Sequence, residues 1–298
     1  MQSKENIAEI GRVQVLRLQV AAYGELLKFR LSLLVALSAV FGYAMAAGTA
    51  ATALQLIVIG VAGLLITGAS NALNQLIERE YDAQMLRTAN RPLPTGRLTV
   101  PATLVFALVL AVAGVAMLGL AFNLPAALLG IIGLLSYAFV YTPLKRITPF
   151  AVFVGAIPGG LPPLIGWVAF TGSLDQGGLL LFAFQFFWQF PHFWAIAWQL
   201  DEDYRRAGFF MLPSPTGRTL LSARMILLYT LCMIPLAWFP YQASLIGGWG
   251  ALMLALLGLL FVWPAWKLFR SLDAKYARQL MFYSFLYLPA IQLTFLLG

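Results

Sequence analysis

Nine runs of apolar residues, each long enough to cross a bilayer, punctuate this chain at 27–48, 53–76, 100–121, 125–143, 149–171, 177–199, 219–239, 244–267 and 277–297. A helix needs about 20 such residues to span the hydrocarbon core. In lipid the backbone must satisfy its own hydrogen bonds, so these runs are confined to helices. With 61% hydrophobic and only 10% charged residues and a mean hydropathy of +0.84, no soluble domain can hide the apolar surface. The expectation is an all-α polytopic membrane protein: one domain over residues 1–298, with nine transmembrane helices in a bundle and residues 1–26 as an N-terminal interfacial segment. That segment is mixed-charge and amphipathic, the pattern of a helix lying on a membrane surface and not of a cleaved leader. Asn123-Leu124-Pro125 makes spans three and four a tight hairpin. Pro158, Pro162 and Pro163, with Gly155, Gly159, Gly160 and Gly166, predict a broken fifth span packed inside the bundle.

The charges orient the spans. All 19 Lys and Arg fall at the N-terminus or in the connections after spans two, four, six and eight, whereas the opposite connections carry only Asp175. The positive-inside rule then puts the N-terminus in the cytoplasm and the C-terminus outside, as in a bacterial inner membrane. The net charge of +8 is spread over short loops and forms no basic face for nucleic acid. Cys232 stands alone in an apolar run, which excludes an intrachain disulfide and any cysteine-based metal site.

Polar residues concentrate at the inner ends of the even-numbered spans. Asn74, Glu78 and Asp82 recur every four residues, one stripe on a helix. Three such oxygen donors over two turns can share Mg²⁺. Arg87, Arg91 and Arg97 follow in a loop stiffened by Pro92 and Pro94, suited to phosphate oxygens. Carboxylates for Mg²⁺ beside arginines for phosphate read as a diphosphate site; a solvated helix end carrying charge is the plainer reading of the same pattern. Lys145 and Arg146, after span four, either clamp a diphosphate or obey the topology rule. Tyr141, at the inner end of that span, lines the pocket near developing positive charge or is an interfacial belt tyrosine.

Span six places Gln185, Gln189, His192, Gln199 and Asp203 on one helical face, expensive in a membrane unless they meet a cavity or one another. It ends in Asp201, Glu202 and Asp203, followed by Tyr204, Arg205 and Arg206, again carboxylates and then arginines. His192, the one histidine, fits a packing role, an axial ligand to a metalloporphyrin, or an acid/base group.

These residues resemble the UbiA-type intramembrane prenyltransferases, and within them the protoheme IX farnesyltransferase branch. The likeness is carried by N-x-x-x-E-x-x-x-D from Asn74, M-x-R-T-x-x-R-P-L-P-x-G-R from Met85 to Arg97, YTPLKRITP from Tyr141, PPLIGW at 162–167, WQFPHFWAIAW at 188–198, D-Y-x-x-A-G from Asp203 and YLPAIQ near the C-terminus. Glu78 replaces the aspartate usual in quinone-forming relatives. The second acidic motif is less regular here, and position in D-Y-x-x-A-G favours Asp203 among its three acids. The resemblance implies a central cavity open sideways to lipid and Mg²⁺-dependent transfer of farnesyl from farnesyl diphosphate to a vinyl group of haem b, giving haem O. It implies Asn74, Glu78, Asp82 and Asp203 as catalytic metal ligands with Tyr141 beside them. Arg87, Arg91, Lys145, Arg146 and Arg205 would then hold diphosphate, and His192, Gln189 and Gln199 are candidates for haem contact. The lipid bilayer is a partner by composition, and a haem A synthase or terminal oxidase is a family-level expectation. A quinone precursor or a chlorin is the alternative acceptor. A transporter is the rival from another class, but only the fifth span is interrupted and the charged motifs lie at one face, not at the midplane.

Overall fold

The computed structural model describes residue 14 and residues 17 to 297. Residues 17–27 form a helix, α1; apart from residue 14, the rest of the expected interfacial segment lies outside the described residues. There follow α2 (Phe29–Ala47), α3 (Ala53–Asp82), α4 (Val100–Ala121), α5 (Leu124–Leu144), α6 (Ala151–Thr171), α7 (Gln176–Gln199), α8 (Asp201–Arg206), α9 (Leu220–Gln242), α10 (Gly248–Ser271) and α11 (Ala274–Leu297). Among these residues there is no strand, and nine helices, all but α1 and α8, are long and apolar enough to cross a membrane.

Helix starts follow local chemistry. Thr52 and Gln55 form a reciprocal capping box on α3. Thr99, Asn123, Asp175 and Thr219 cap α4, α5, α7 and α9 through their side-chain oxygens. Asn123 also donates from Nδ2 to the carbonyls of Val168 (2.8 Å) and Ala169 (3.0 Å), closing the C-terminus of α6 while it opens α5.

The most enclosed span is α6, as expected, but it is not broken: it runs unbroken through Pro158, Pro162 and Pro163. Pro163 has no N–H for the Gly159 carbonyl four residues back. Gln185 of α7 supplies the missing donor, Nε2 to Gly159 O at 2.8 Å, and Gln189 Nε2 reaches Ala156 O at 3.1 Å. Two polar residues on that face of α7 are thus matched to the proline-rich backbone of α6. On its other side α6 meets α2 so closely that a Cβ at Gly42 would overlap the Pro163 backbone, and one at Gly166 the backbone of Ala39. Small residues at such crossings let helices approach within lipid, where there is no hydrophobic drive to bring them together.

Large apolar residues such as Leu120, Leu286 and Trp249 stay exposed around the perimeter. On an integral membrane protein that surface faces acyl chains, and it needs no further partner.

Candidate active site

The helix α3 continues six residues past the expected end of span two, so the whole Asn74–Glu78–Asp82 stripe is helical. All three side chains are nearly inaccessible, at 2%, 4% and 0% exposure. A solvated helix end, the plainer reading, is thereby excluded. Each side chain has one neighbour that neutralises or orients it. Asn74 Nδ2 donates to Thr142 Oγ1 at 3.1 Å, Lys145 Nζ donates to Glu78 Oε1 at 2.9 Å, and Arg91 Nη1 donates to both Asp82 oxygens at 2.8 and 2.7 Å.

Thr142 and Lys145 reach α3 because α5 ends irregularly. Residues Ser136–Tyr141 wind as a π-helix, and Thr142 Oγ1 donates to Tyr137 O at 2.9 Å. Such insertions re-aim the residues that follow and recur at functional sites. Here the wider turn buries Tyr141 against Gly155 of α6 and sets its ring 4.6 Å from the Lys145 ammonium. Desolvation pushes the Lys145 pKa down, but the Glu78 carboxylate outweighs it and holds the group above the ordinary lysine value.

The second acidic motif meets the first through the loop after α3. Asp203 accepts from the backbone N–H groups of Leu86 (2.8 Å) and Arg87 (3.3 Å), while Thr88 Oγ1 donates to the Asp82 carbonyl at 2.8 Å. Asp82 and Asp203 therefore flank one turn of chain. The connection after α5 joins the same group: Phe210 N donates to Lys145 O at 2.7 Å. Arg146 lies over the Tyr81 ring at 4.0 Å and donates to its hydroxyl at 2.6 Å. Three inner connections, distant in sequence, make one end of the bundle.

Other expected residues have different surroundings. Arg87 sits 5.8 Å from the Tyr204 ring centre with a partner of no other kind among the described side chains. Arg97, grouped with Arg87 and Arg91 in the sequence, instead grips Glu25 of α1 through two 2.7 Å bonds and donates to Asn90 O at 2.6 Å. Arg205 pairs with Asp201 at 3.2 Å, and Arg206 with Asp203 at 3.3 Å. Gln189 is held by the carbonyls of Ala156 and Gln185, and Gln199 donates to Ala274 O at 2.7 Å, so both amide NH₂ groups are already used within the protein. His192 is buried deeper along α7, stacked on Trp188 at 4.5 Å, with Nδ1 2.7 Å from Ser284 Oγ. Ser284 Oγ itself donates to Met281 O at 2.6 Å. Its one proton is spent there, so Nδ1 is the donor of the pair and Nε2 keeps its lone pair.

Lys28 was not among the expected site residues. It sits where α1 turns into α2, in a left-handed conformation (φ 45°, ψ 53°). Burial first, then Arg91 and Lys145, push its pKa down to about 7 against the pull of Glu78 and Asp82. No local motif marks it; only the tertiary fold brings it to this group.

No three His, Cys, Asp or Glu side chains cluster tightly enough among the described residues to hold a metal unaided. The stripe offers two carboxylates and an amide oxygen, which suits Mg²⁺ held jointly by one or two carboxylates and substrate phosphates. The donor set fits that ion. A surface cavity of about 580 Å³ lined by Tyr241, Ser244 and Gly247 lies between α9 and α10, at the other end of the bundle, and holds none of this chemistry.

Comparison with known proteins gives a consistent family. The model described as the UbiA prenyltransferase family matches residues 35–287. A protein named protoheme IX farnesyltransferase from Cytophaga hutchinsonii is 45% identical over 279 residues, covering 94% of this chain and 98% of the relative. Another of that name from Christiangramia forsetii is 43% identical, covering 92% of each chain. Among solved structures, a digeranylgeranylglyceryl phosphate synthase superposes with a TM-score of 0.78 at 19% identity, covering 94% of this chain and 98% of the other. A UbiA homologue from Archaeoglobus fulgidus, bound to GPP and Mg²⁺, superposes with a TM-score of 0.67 at 14% identity, covering 90% of this chain and 99% of that one.

Proposed function

The chain belongs to the UbiA prenyltransferase family, and from that membership we propose that it transfers the farnesyl group of farnesyl diphosphate to a vinyl group of haem b, with Mg²⁺, to give haem O. The observation that carries this reading is the buried stripe Asn74–Glu78–Asp82 with its carboxylates poised on Lys145 and Arg91, in a chain 45% identical to a named protoheme IX farnesyltransferase.

Each buried acid is neutralised by a buried or half-buried base, because an unpaired charge there would be costly. The pairs are also a substrate site in waiting. Asn74, Glu78 and Asp82, with Asp203 from α8, are the residues that would hold Mg²⁺, which when bound with diphosphate supplies charge neutralisation to the departing oxygens. Lys145 and Arg91 would then turn from the carboxylates to phosphate oxygens, joined by Arg87, which is not committed to an acid. Arg146 lies beside them on Tyr81, and Arg205 is a more distant contributor. Cleavage of the allylic carbon–oxygen bond leaves positive charge on the farnesyl chain. The vinyl group adds to it through its terminal carbon, which moves the positive charge to the carbon beside the porphyrin; water adds there and loses a proton to give the hydroxyethylfarnesyl group, with diphosphate as the leaving group.

Tyr141, buried beside Lys145, can present its ring face to the developing cation. The aromatic rings of Phe153, Phe186, Phe190 and Tyr229, packed on one another between α6, α7 and α9, would offer the farnesyl chain an apolar, water-poor surface. His192, with Nε2 unprotonated, is the candidate ligand for the porphyrin iron; Gln189 and Gln199 are the weaker candidates for haem contact, given their existing bonds. The cation asymmetry supports a cytoplasmic N-terminus, an external C-terminus and an active site on the cytoplasmic side of a bacterial inner membrane. Haem A synthase or a terminal oxidase would receive the product.

The test is to incubate purified protein with haem b, farnesyl diphosphate and Mg²⁺ and to look for farnesylated haem by mass. No product from haem b, with prenylation of a quinone precursor or a chlorin instead, overturns the acceptor assignment; no prenylation of any acceptor overturns the reading itself.

A further inference from the structure

We propose that Lys28 is a diphosphate-contacting residue of the active site, delivered to it by a strained turn that is clamped onto α3. The proposal rests on the farnesyl diphosphate reading above and deepens it. Three non-glycine residues in the described chain adopt positive φ, and among them Lys28 alone follows directly on residues held to α3 by Asn71 and Gln75. A lysine in that conformation costs about 1 kcal/mol relative to glycine and persists only where the surroundings impose it.

The surroundings are specific. The last carbonyls of α1, which a helix end leaves without partners, are taken up by α3 and α2: Gln75 Nε2 donates to Leu26 O at 2.9 Å, Asn71 Nδ2 to Leu27 O at 3.4 Å, and Ser32 Oγ to Leu27 O at 2.6 Å. Asn71 also donates to Ser32 Oγ at 3.1 Å, and all three polar side chains are buried. Asn71 and Gln75 lie on α3 directly before Glu78, so the clamp fixes the α1–α2 corner one turn from the carboxylates. Lys28 forms no ion pair among the described residues, yet it feels Glu78, Asp82, Arg91 and Lys145 strongly enough for all four to perturb it. A lysine on that corner, where both stripe acids already pair with other bases, is suited to an added anion. The chemistry that fits is a phosphate oxygen of the prenyl diphosphate.

The decisive variant is Lys28→Gly. If the lysine were there for the backbone, glycine would relieve the strained φ and leave binding intact. On the proposal it folds at least as stably as the parent in a thermal scan, but binds farnesyl diphosphate and inorganic pyrophosphate, each with Mg²⁺, about ten- to a hundredfold more weakly. Lys28→Arg restores most of the affinity, and haem b binding is unchanged in both. Lys28→Gly with parental affinity for both diphosphates overturns the proposal and leaves the prenyltransfer reading standing. Loss of haem b binding in parallel, or loss of folded protein in Lys28→Gly, overturns it too, because the role would then be structural. A parent protein that binds neither diphosphate fails the reading itself, and the proposal with it.

Discussion

Asp82 is the residue on which the most is balanced: its side chain is fully enclosed, both oxygens accept from one Arg91 nitrogen, and its carbonyl holds Thr88. Asp82→Asn keeps the shape and the carbonyl bond but removes a charge that Mg²⁺ and Arg91 both need. Turnover should fall at least 10²-fold, and the unfolding temperature should fall as well, because Arg91 is left without its acid partner; a variant with parental turnover in the mass assay removes Asp82 from the metal set. Lys28 gives a pH signature. Its pKa is about 7 in the folded chain and higher in the unfolded one, so between about pH 7 and 10 the unfolded chain binds more protons and folding gains stability as pH rises. In EDTA the parent should therefore become more resistant to heat across that window, and Lys28→Gly less steeply so, a comparison that differential scanning of the two proteins measures. The high pKa of Lys145 acts the other way, its stabilisation being lost only as pH climbs past the ordinary lysine range.

At the scale of elements, α6 and α7 work as a pair. Three prolines in a spanning helix read as a break when the sequence of α6 is taken alone. What it omits is the glutamine on the next helix that replaces the lost N–H. Gln185→Leu removes that donor and leaves the Gly159 carbonyl buried without a partner, at a cost of about 1–3 kcal/mol. The expected result is a lower thermal inactivation midpoint with little change in the farnesyl diphosphate KM; a KM that rises with no loss of midpoint would assign Gln185 to substrate instead. The π-turn of α5 makes the same point. Ser136–Tyr141 has no proline or glycine to announce it, yet without the extra residue Tyr141, Thr142 and Lys145 would be rotated away from α3.

Over the whole molecule, the connections after α3, α5 and α8 form one joined cap on the bundle, tied by Asp203 to residues 86–87 and by Lys145 to Phe210. Farnesyl diphosphate with Mg²⁺ should draw Arg87 and Arg91 inward and tighten this cap. Limited trypsin cleavage after Arg87 should accordingly slow severalfold when both are present and change little with either alone. Equal protection by Mg²⁺ alone would mean that the acids form a resident metal site, against the shared-ligand arrangement inferred from their number.

The nine spans, the helical class and the acidic stripe were legible in the sequence, because each depends on local composition or on spacing along one helix. Apolar length dictates a span whatever surrounds it, and a four-residue repeat faces one way on any helix. The partners of that stripe were not legible. Thr142 and Lys145 on the stripe, Asp203 on the backbone of the neighbouring loop and Arg97 on Glu25 are contacts between segments 67 to 117 residues apart, and even Arg91, nine residues beyond Asp82, reaches it only because the loop after α3 folds back. Charge pairing in a buried site depends on distance and desolvation, and only the folded bundle decides those.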